Sequence, residues 1–146
     1  MDILKKELTK FFETNTDLKF FKPFYEKLIK NISIDFSKYP PSKERYQRYV
    51  LYCNETFEIV LISWGKDIKT KNHCHPENGC LLGVLKGKLL EHRSTHQDKI
   101  YSTQTLNLNE IGYMHCDLGV HQVININNDV SYSLHIYSPP GFYNNN

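Results

Sequence analysis

Two histidines two residues apart, His73 and His75, stand shortly before Cys80 in the run HCHPENGCLLGVLKG that ends at Gly87. On a β-strand, side chains two apart point to the same face, so both imidazoles are expected to turn toward one metal ion from rigid backbone. His121, in DLGVHQVIN, opens a second alternating segment after a Gly-containing turn and is expected to bring a third imidazole to the same cavity. Three neutral imidazoles with no carboxylate leave a six-coordinate ion three open positions. That suits iron(II) taking a substrate and dioxygen together, and it departs from the commoner two-histidine, one-carboxylate set of non-haem iron. Zinc also accepts three histidines. A lone His-x-His is as often a surface or hydrogen-bonded core feature as a ligand pair, so the reading depends on what surrounds it.

Four residues separate His75 from Cys80, six separate Cys80 from Gly87, and three separate His121 from Asn125. Further on, Ser133-Leu134-His135-Ile136-Tyr137-Ser138-Pro139-Pro140 puts Ser133, His135 and Tyr137 on one strand face, with Leu134 and Ile136 on the other. In a buried Ser-His-Tyr row, each group needs a partner or a task. Arg45-Tyr46-Gln47-Arg48 leads into the strand-like YVLYC, with Tyr46 and Arg48 again on one face. Taken singly, each residue has an ordinary role: Arg48 as an exposed strand residue, Tyr137 as one of ten tyrosines, Cys80 as a small buried hydrophobe. Their joint occurrence at these spacings carries the information.

The paired spacings resemble the two motifs of the cupin superfamily, with Cys80 standing where many cupins carry a glutamate ligand. From about Tyr46 to Pro140 the chain more closely resembles the cysteine dioxygenase family. Trp64-Gly65, Gly87, Gly-Val-His-Gln-Val around His121, and Ser-Leu-His-Ile-Tyr-Ser-Pro-Pro carry that resemblance. It implies iron(II) on His73, His75 and His121, and Arg48 gripping the carboxylate of L-cysteine with Tyr46 beside it. It further implies Tyr137 at the site, joined by a thioether to Cys80, with His135 and Ser133 as the hydrogen-bonded relay behind it. The implied reaction uses O2, yields cysteine sulfinic acid and serves cysteine catabolism.

The residue types agree with that chemistry. A cysteine thiol has a free pKa of about 8.5, which a metal lowers enough to deprotonate it. Two oxygen atoms added to sulfur reach the sulfinic rung of the oxidation ladder. The planar fork of arginine gives a carboxylate two charge-assisted bonds that lysine does not. Cys74 departs from the pattern, standing where the family often has Asp and pointing away from its neighbours, so it is not expected to be a ligand. Cys80 is often Gly in bacterial relatives that work without the cross-link, which makes the link a modifier of activity. The chain stops six residues after Pro140, short of the longer tail of animal relatives. Alternatives are a 3-mercaptopropionate dioxygenase, a zinc or manganese cupin isomerase or hydrolase, and a non-catalytic cupin that binds a small ligand. Arg48 speaks for a carboxylate-bearing substrate, and relatives preferring mercaptopropionate often have Gln there.

With 146 residues and 40% apolar content, the chain is expected to form one domain over 1–146. A formal charge of +2 with dispersed Lys and Arg argues against nucleic acid as a partner. The start, MDILKKELTKFFE, lacks a signal peptide's apolar core, and no run of about 18 apolar residues occurs, so no membrane association is expected. Cys53, Cys74, Cys80 and Cys116 lack secreted-scaffold and zinc-pair spacing, so reduced thiols and a cytoplasmic location are expected. A monomer is the simplest state.

The elements that must position these side chains fall into two regions. Over 1–40, Leu4, Leu8, Phe11 and Phe12, then Phe20, Phe21, Phe24, Tyr25, Leu28, Ile29 and Ile32, recur at three and four residues, which predicts two amphipathic helices. Asp2 is the expected cap of the first, and Pro23 falls in the first turn of the second. Over 46–140, six β-rich runs follow without intervening helices: YVLYC, FEIVLISW, CLLGVLKG, KIYST, VHQVINI and VSYSLHIYS. The fold class is therefore all-β with N-terminal helices, and the resemblance makes it a cupin-type double-stranded β-helix, or jelly-roll barrel. The helices are expected to shield a barrel edge, Trp64-Gly65 to be structural, and the terminal Asn run to fray.

Overall fold

The computed structural model describes residues 1–143, and the terminal Asn run lies outside the described residues. Helix α1 (Asp2–Phe11) turns Leu4, Leu8 and Phe11 inward at helical spacing. Asp2 is not its cap. Met1 holds that position without a side-chain bond, and Asp2 lies in the first turn, where its carboxylate faces the positive end of the helix. The second helical stretch is broken into a 3-10 turn at Leu18–Phe21, helix α2 (Lys22–Leu28) with Pro23 in its first turn, and a 3-10 turn at Ile29–Asn31. The tighter turns advance side chains by more per residue than an α-helix does. Leu18, Phe21, Tyr25 and Ile29 therefore point inward, while Phe20 and Phe24 are exposed.

Eight strands follow: β1 (Gln47–Cys53), β2 (Glu58–Trp64), β3 (Cys80–Lys86), β4 (Leu89–Ser94), β5 (Ile100–Leu106), β6 (Ile111–Met114), β7 (Val120–Asn125) and β8 (Ser131–Tyr137). The six expected runs are all strands, and β4 and β6 are additional. In β4 an inward position is taken by Glu91, which a period-two apolar pattern reads as solvent-facing. The short β6 contains Gly112, which weakens the pattern further.

The strands form a five-stranded sheet, β1-β2-β8-β3-β6, and a three-stranded sheet, β5-β4-β7, with antiparallel pairing throughout. Val60, Ile62, Trp64, Leu82 and Val84 of the larger sheet meet Leu89 and Val123 of the smaller one in a shared core. The expected jelly roll is present as two facing sheets and not as a closed hydrogen-bonded barrel. On the other face of the larger sheet, Ile59, Leu61, Leu81, Leu134 and Ile136 pack against Leu4, Leu8, Phe21, Tyr25 and Ile29. The helices thus cover that sheet's outer face and not an edge, because strict alternation in β2 and β8 leaves a second apolar surface to bury. Gly83 makes the close approach possible, since a Cβ there would lie 2.1 Å from Ile29 Cδ1. Tyr25 Oη clamps the layers by donating to the Leu134 carbonyl at 2.7 Å.

Asn125 has a structural task. Its buried Nδ2 donates to the carbonyls of Trp64 and Gly65, both at 2.9 Å, and of Asp129 at 3.1 Å. Its Oδ1 accepts from Ser131 Oγ at 2.8 Å and Asn127 N at 3.0 Å. One side chain therefore ties the end of β7 to the end of β2 and closes the turn before β8. Asn125→Ala is expected to destabilise the fold by roughly 2 to 4 kcal/mol, because several buried groups lose their partners together. The drop in denaturant midpoint measures this, and the metal bound per chain should not change.

Candidate metal centre

His73 and His75 are not on a regular strand. His73 forms an isolated antiparallel bridge with His121, His73 N donating to His121 O at 3.1 Å and His121 N to His73 O at 3.2 Å, and residues 74–79 are irregular. Pro76 lacks the N–H that a ladder would need. The common facing of the two rings comes from this bridge, which holds the loop before β3 against the start of β7. Gly119 permits the turn into β7: its φ is +102°, and a Cβ would lie 2.1 Å from the Ser94 carbonyl oxygen.

The three imidazoles converge as the spacing predicts. His75 Nε2 lies 2.9 Å from His121 Nε2, which lies 3.0 Å from His73 Nε2. All three ligand atoms are within 4.8 Å of one another. Their proton positions follow from their other nitrogens. His73 Nδ1 is 2.9 Å from the Lys71 carbonyl oxygen, and His121 Nδ1 is 2.7 Å from Glu91 Oε2. A carbonyl and a carboxylate only accept, so both Nδ1 atoms carry the proton and both neutral rings present a bare Nε2 lone pair. Two lone pairs facing each other at 3.0 Å have no hydrogen between them, and a shared cation resolves the repulsion. Burial, then the neighbouring His121, lowers the pKa of His73 to about 4 and holds His75 still further below the usual histidine range. Neutral imidazole is the form that binds metal. The donor set therefore fits a divalent ion that accepts nitrogen ligands.

Glu91 is buried on β4. Its Oε1 accepts from Arg93 Nε at 2.8 Å and from Gln104 Nε2 at 2.7 Å. Burial pushes its carboxyl up, but the His121 hydrogen bond and Arg93 outweigh that and bring it to about 2.

Beside the histidines lies a cavity of about 570 Å³, lined in part by Tyr46, Arg48, His73, His121, His135 and Tyr137. Such a volume is in the ordinary range for small-molecule sites. The Ser133-His135-Tyr137 row is inside, as alternation predicts. Tyr137 Oη is 3.0 Å from His135 Nδ1, and His135 Nε2 is 2.7 Å from Ser133 Oγ. Trp64 Nε1 donates to Ser133 Oγ at 2.8 Å. Among the described residues, His135 Nε2 is then the only acceptor for the Ser133 hydroxyl proton, so the chain of donors runs from Trp64 through Ser133 and His135 to the Tyr137 oxygen. The phenol proton of Tyr137 is therefore left free for another acceptor. Burial, reinforced by Cys80, pushes the Tyr137 phenol well up, so it stays protonated.

Cys80 stands opposite Tyr137 in the β3–β8 ladder. Burial pushes the Cys80 thiol up, with Glu91 adding to the effect. Arg48 is half-buried, its Nη2 3.3 Å from Oε1 of Glu58, which is 1% exposed. Its guanidinium lies 5.7 Å from the ring centroid of Tyr137 and 5.4 Å from that of Tyr143. Arg48 Nε is buried with no partner among the described residues.

Four residues at the site escaped the sequence reading. Trp64 was expected to be structural only, yet it orients the relay. Glu58 and Glu91 lie on inward strand positions where charge is not expected. Tyr143 lies beyond the last strand, its Oη donating to the Cys74 carbonyl at 2.6 Å. The expectation of reduced thiols is also corrected. Cys74 and Cys116 are joined in a disulfide with a Cα–Cα separation of 5.5 Å, while Cys53 and Cys80 are free. The pairing was not legible because 42 residues separate the two and only the fold brings them together.

A family model for cysteine dioxygenase type I matches residues 30–144. The chain belongs to this family. It is 32% identical over 104 residues to cysteine dioxygenase type 1 of Rattus norvegicus, covering 66% of this chain and 52% of that protein. The Homo sapiens protein of the same name matches with the same identity and coverage. The chain spans about half the length of these relatives. Solved structures with the same fold include a Klebsiella pneumoniae protein with a double-stranded β-helix domain, 16% identical with a TM-score of 0.60 over 73% of this chain and 89% of that one. A Schizosaccharomyces pombe cupin domain is 10% identical, with a TM-score of 0.58 over 73% of this chain and 68% of that one. These two share the cupin fold with this chain.

Proposed function

We propose that this chain is an iron(II)-dependent dioxygenase that converts L-cysteine and O2 to cysteine sulfinic acid. The observation that carries this reading is the convergence of the three imidazole Nε2 atoms beside a cavity that also holds Arg48 and Tyr137. Iron held by His73, His75 and His121 would supply oxygen activation and bind the substrate thiolate. Arg48 binds the substrate carboxylate, using a guanidinium that its ion pair with Glu58 holds in place. Tyr46 stacks near Trp64, with ring centroids 5.4 Å apart, and forms part of the pocket wall. Tyr137 donates its phenol proton toward the substrate or oxygen, with Ser133 and His135 directing that donor. Cys80, kept as a thiol by burial and facing Tyr137 across the ladder, is the proposed partner for the thioether, whose formation removes two electrons and two protons with O2 as the oxidant.

The same reading makes the protein a monomer of the cytoplasm, where iron stays ferrous, without nucleic-acid or membrane partners. Among the described residues no helix is long and apolar enough to cross a membrane.

The test is oxygen uptake by iron(II)-loaded protein with L-cysteine, 3-mercaptopropionate and cysteamine side by side, with the sulfur product identified by mass. The expected result is one O2 consumed per cysteine sulfinic acid, with cysteine fastest. A faster rate with mercaptopropionate would reassign the substrate. Uptake with no thiol, despite bound iron, would overturn dioxygenation in favour of another cupin chemistry or a binding protein.

A further inference from the structure

The three imidazoles differ in what stands behind them. His73 Nδ1 meets a backbone carbonyl, and His75 Nδ1 is buried with no partner among the described residues. Only His121 meets a charge, Glu91 Oε2 at 2.7 Å. We propose that Glu91 is a positioning residue that makes His121 the strongest donor of the site, so that the carboxylate missing from the ligand set acts from behind one imidazole. This rests on the reading above that the three histidines hold a metal ion.

Glu91 is 2% exposed, on the inward face of β4, directly beside β7 in the smaller sheet. Both of its oxygens are engaged: Oε2 by His121, Oε1 by Arg93 and Gln104. A carboxylate so held is fixed in direction. Arg93 is half-buried and its Nη2 also donates to the Tyr113 carbonyl, so it is anchored to the other sheet. Gln104 stands opposite Glu91 in the β4–β5 register. The result is a brace: β5 and Arg93 hold Glu91, and Glu91 holds the imidazole plane of His121 with Nε2 aimed at the other two ligands. The carboxylate fixes the tautomer, since only Nδ1–H satisfies it, and withdraws that proton enough to enrich Nε2. Replacing a partner of this kind weakens metal binding by about 10- to 100-fold.

The experiment compares wild type with Glu91→Gln, which keeps shape and an acceptor while removing the charge. Cobalt(II) and iron(II) affinities are measured anaerobically by chelator competition, together with the ferric/ferrous midpoint potential. The expected result is affinity about 10- to 100-fold weaker in the variant, with a raised potential because the ferric state loses the negative charge behind His121. Affinity within twofold of wild type overturns the proposal, as does weaker affinity with an unchanged potential, which would mean Glu91 only packs. Failure of the wild type to bind either metal would overturn the metal reading itself. Because Glu91→Gln leaves Arg93 less well paired and could unfold, a second measurement uses wild type alone. In zinc-loaded protein with ¹⁵N-labelled histidine, His121 should bind through Nε2 and show a slowly exchanging, downfield Nδ1 proton that His75 lacks. Zinc on Nδ1 of His121, or a rapidly exchanging proton there, overturns the proposal.

Discussion

His121→Ala is expected to give a folded protein that retains little iron and has no measurable turnover. His121 is the imidazole shared by both close nitrogen pairs, at 2.9 and 3.0 Å, so its removal leaves His73 and His75 without the member that spans them. If a metal site's binding energy of roughly 10 to 16 kcal/mol is divided over three ligands, one imidazole accounts for about 3 to 5 kcal/mol, or roughly two to four orders of magnitude in affinity. Iron content after gel filtration measures this. The backbone exchange between His73 and His121 is untouched by the substitution, so far-ultraviolet circular dichroism should match wild type. Full iron retention would remove His121 from the ligand set and with it the geometric basis of the centre.

Arg48→Ala is expected to raise the cysteine concentration for half-maximal turnover by about 10- to 150-fold. That is the equivalent of a lost charge-assisted pair worth roughly 1.5 to 3 kcal/mol. A second effect comes with it. Glu58 is 1% exposed, and Arg48 is its one ion-pair partner among the described residues. Breaking a buried pair from one side costs roughly 3 to 5 kcal/mol of stability. The double variant Arg48→Ala/Glu58→Gln should recover most of the stability and none of the cysteine affinity. Arg48→Lys should fall between, because it keeps the charge and loses the fork. If cysteine and mercaptopropionate are both handled as by wild type, the carboxylate is held elsewhere in the pocket.

The parts of the site legible in the sequence are those in which chemistry and strand alternation coincide. Ser133, His135 and Tyr137 occupy consecutive inward positions of one strand, and a period of two is enough to put them together. His121 opens β7 after a glycine turn, which is again local. The His73–His75 pair converges as expected but for a different reason, since long-range pairing with His121 aligns it and no strand of its own does. The groups that were missed have no local signature. Glu91 and Glu58 are buried carboxylates, tolerated because Arg93, Gln104 and His121 satisfy one and Arg48 the other. Their partners come from other strands or from side-chain geometry that spacing does not encode. The same holds for Trp64, whose indole reaches Ser133 across 69 residues of sequence.

From sequence alone, then, came the class of fold, the three imidazoles and the inward Ser133-His135-Tyr137 row, because each depends on residue type and on a periodicity that the backbone imposes wherever it is extended, while the roles expected of Tyr137 and Arg48 came from the family resemblance. Tertiary structure decided that His73 and His121 carry their protons on Nδ1, which way the relay donates, that Cys74 pairs with Cys116, and that the helices cover a sheet face. Those are outcomes of burial and long-range pairing. An N–H or carboxylate removed from water must find a partner, and which partner it finds is settled only when distant strands are packed side by side.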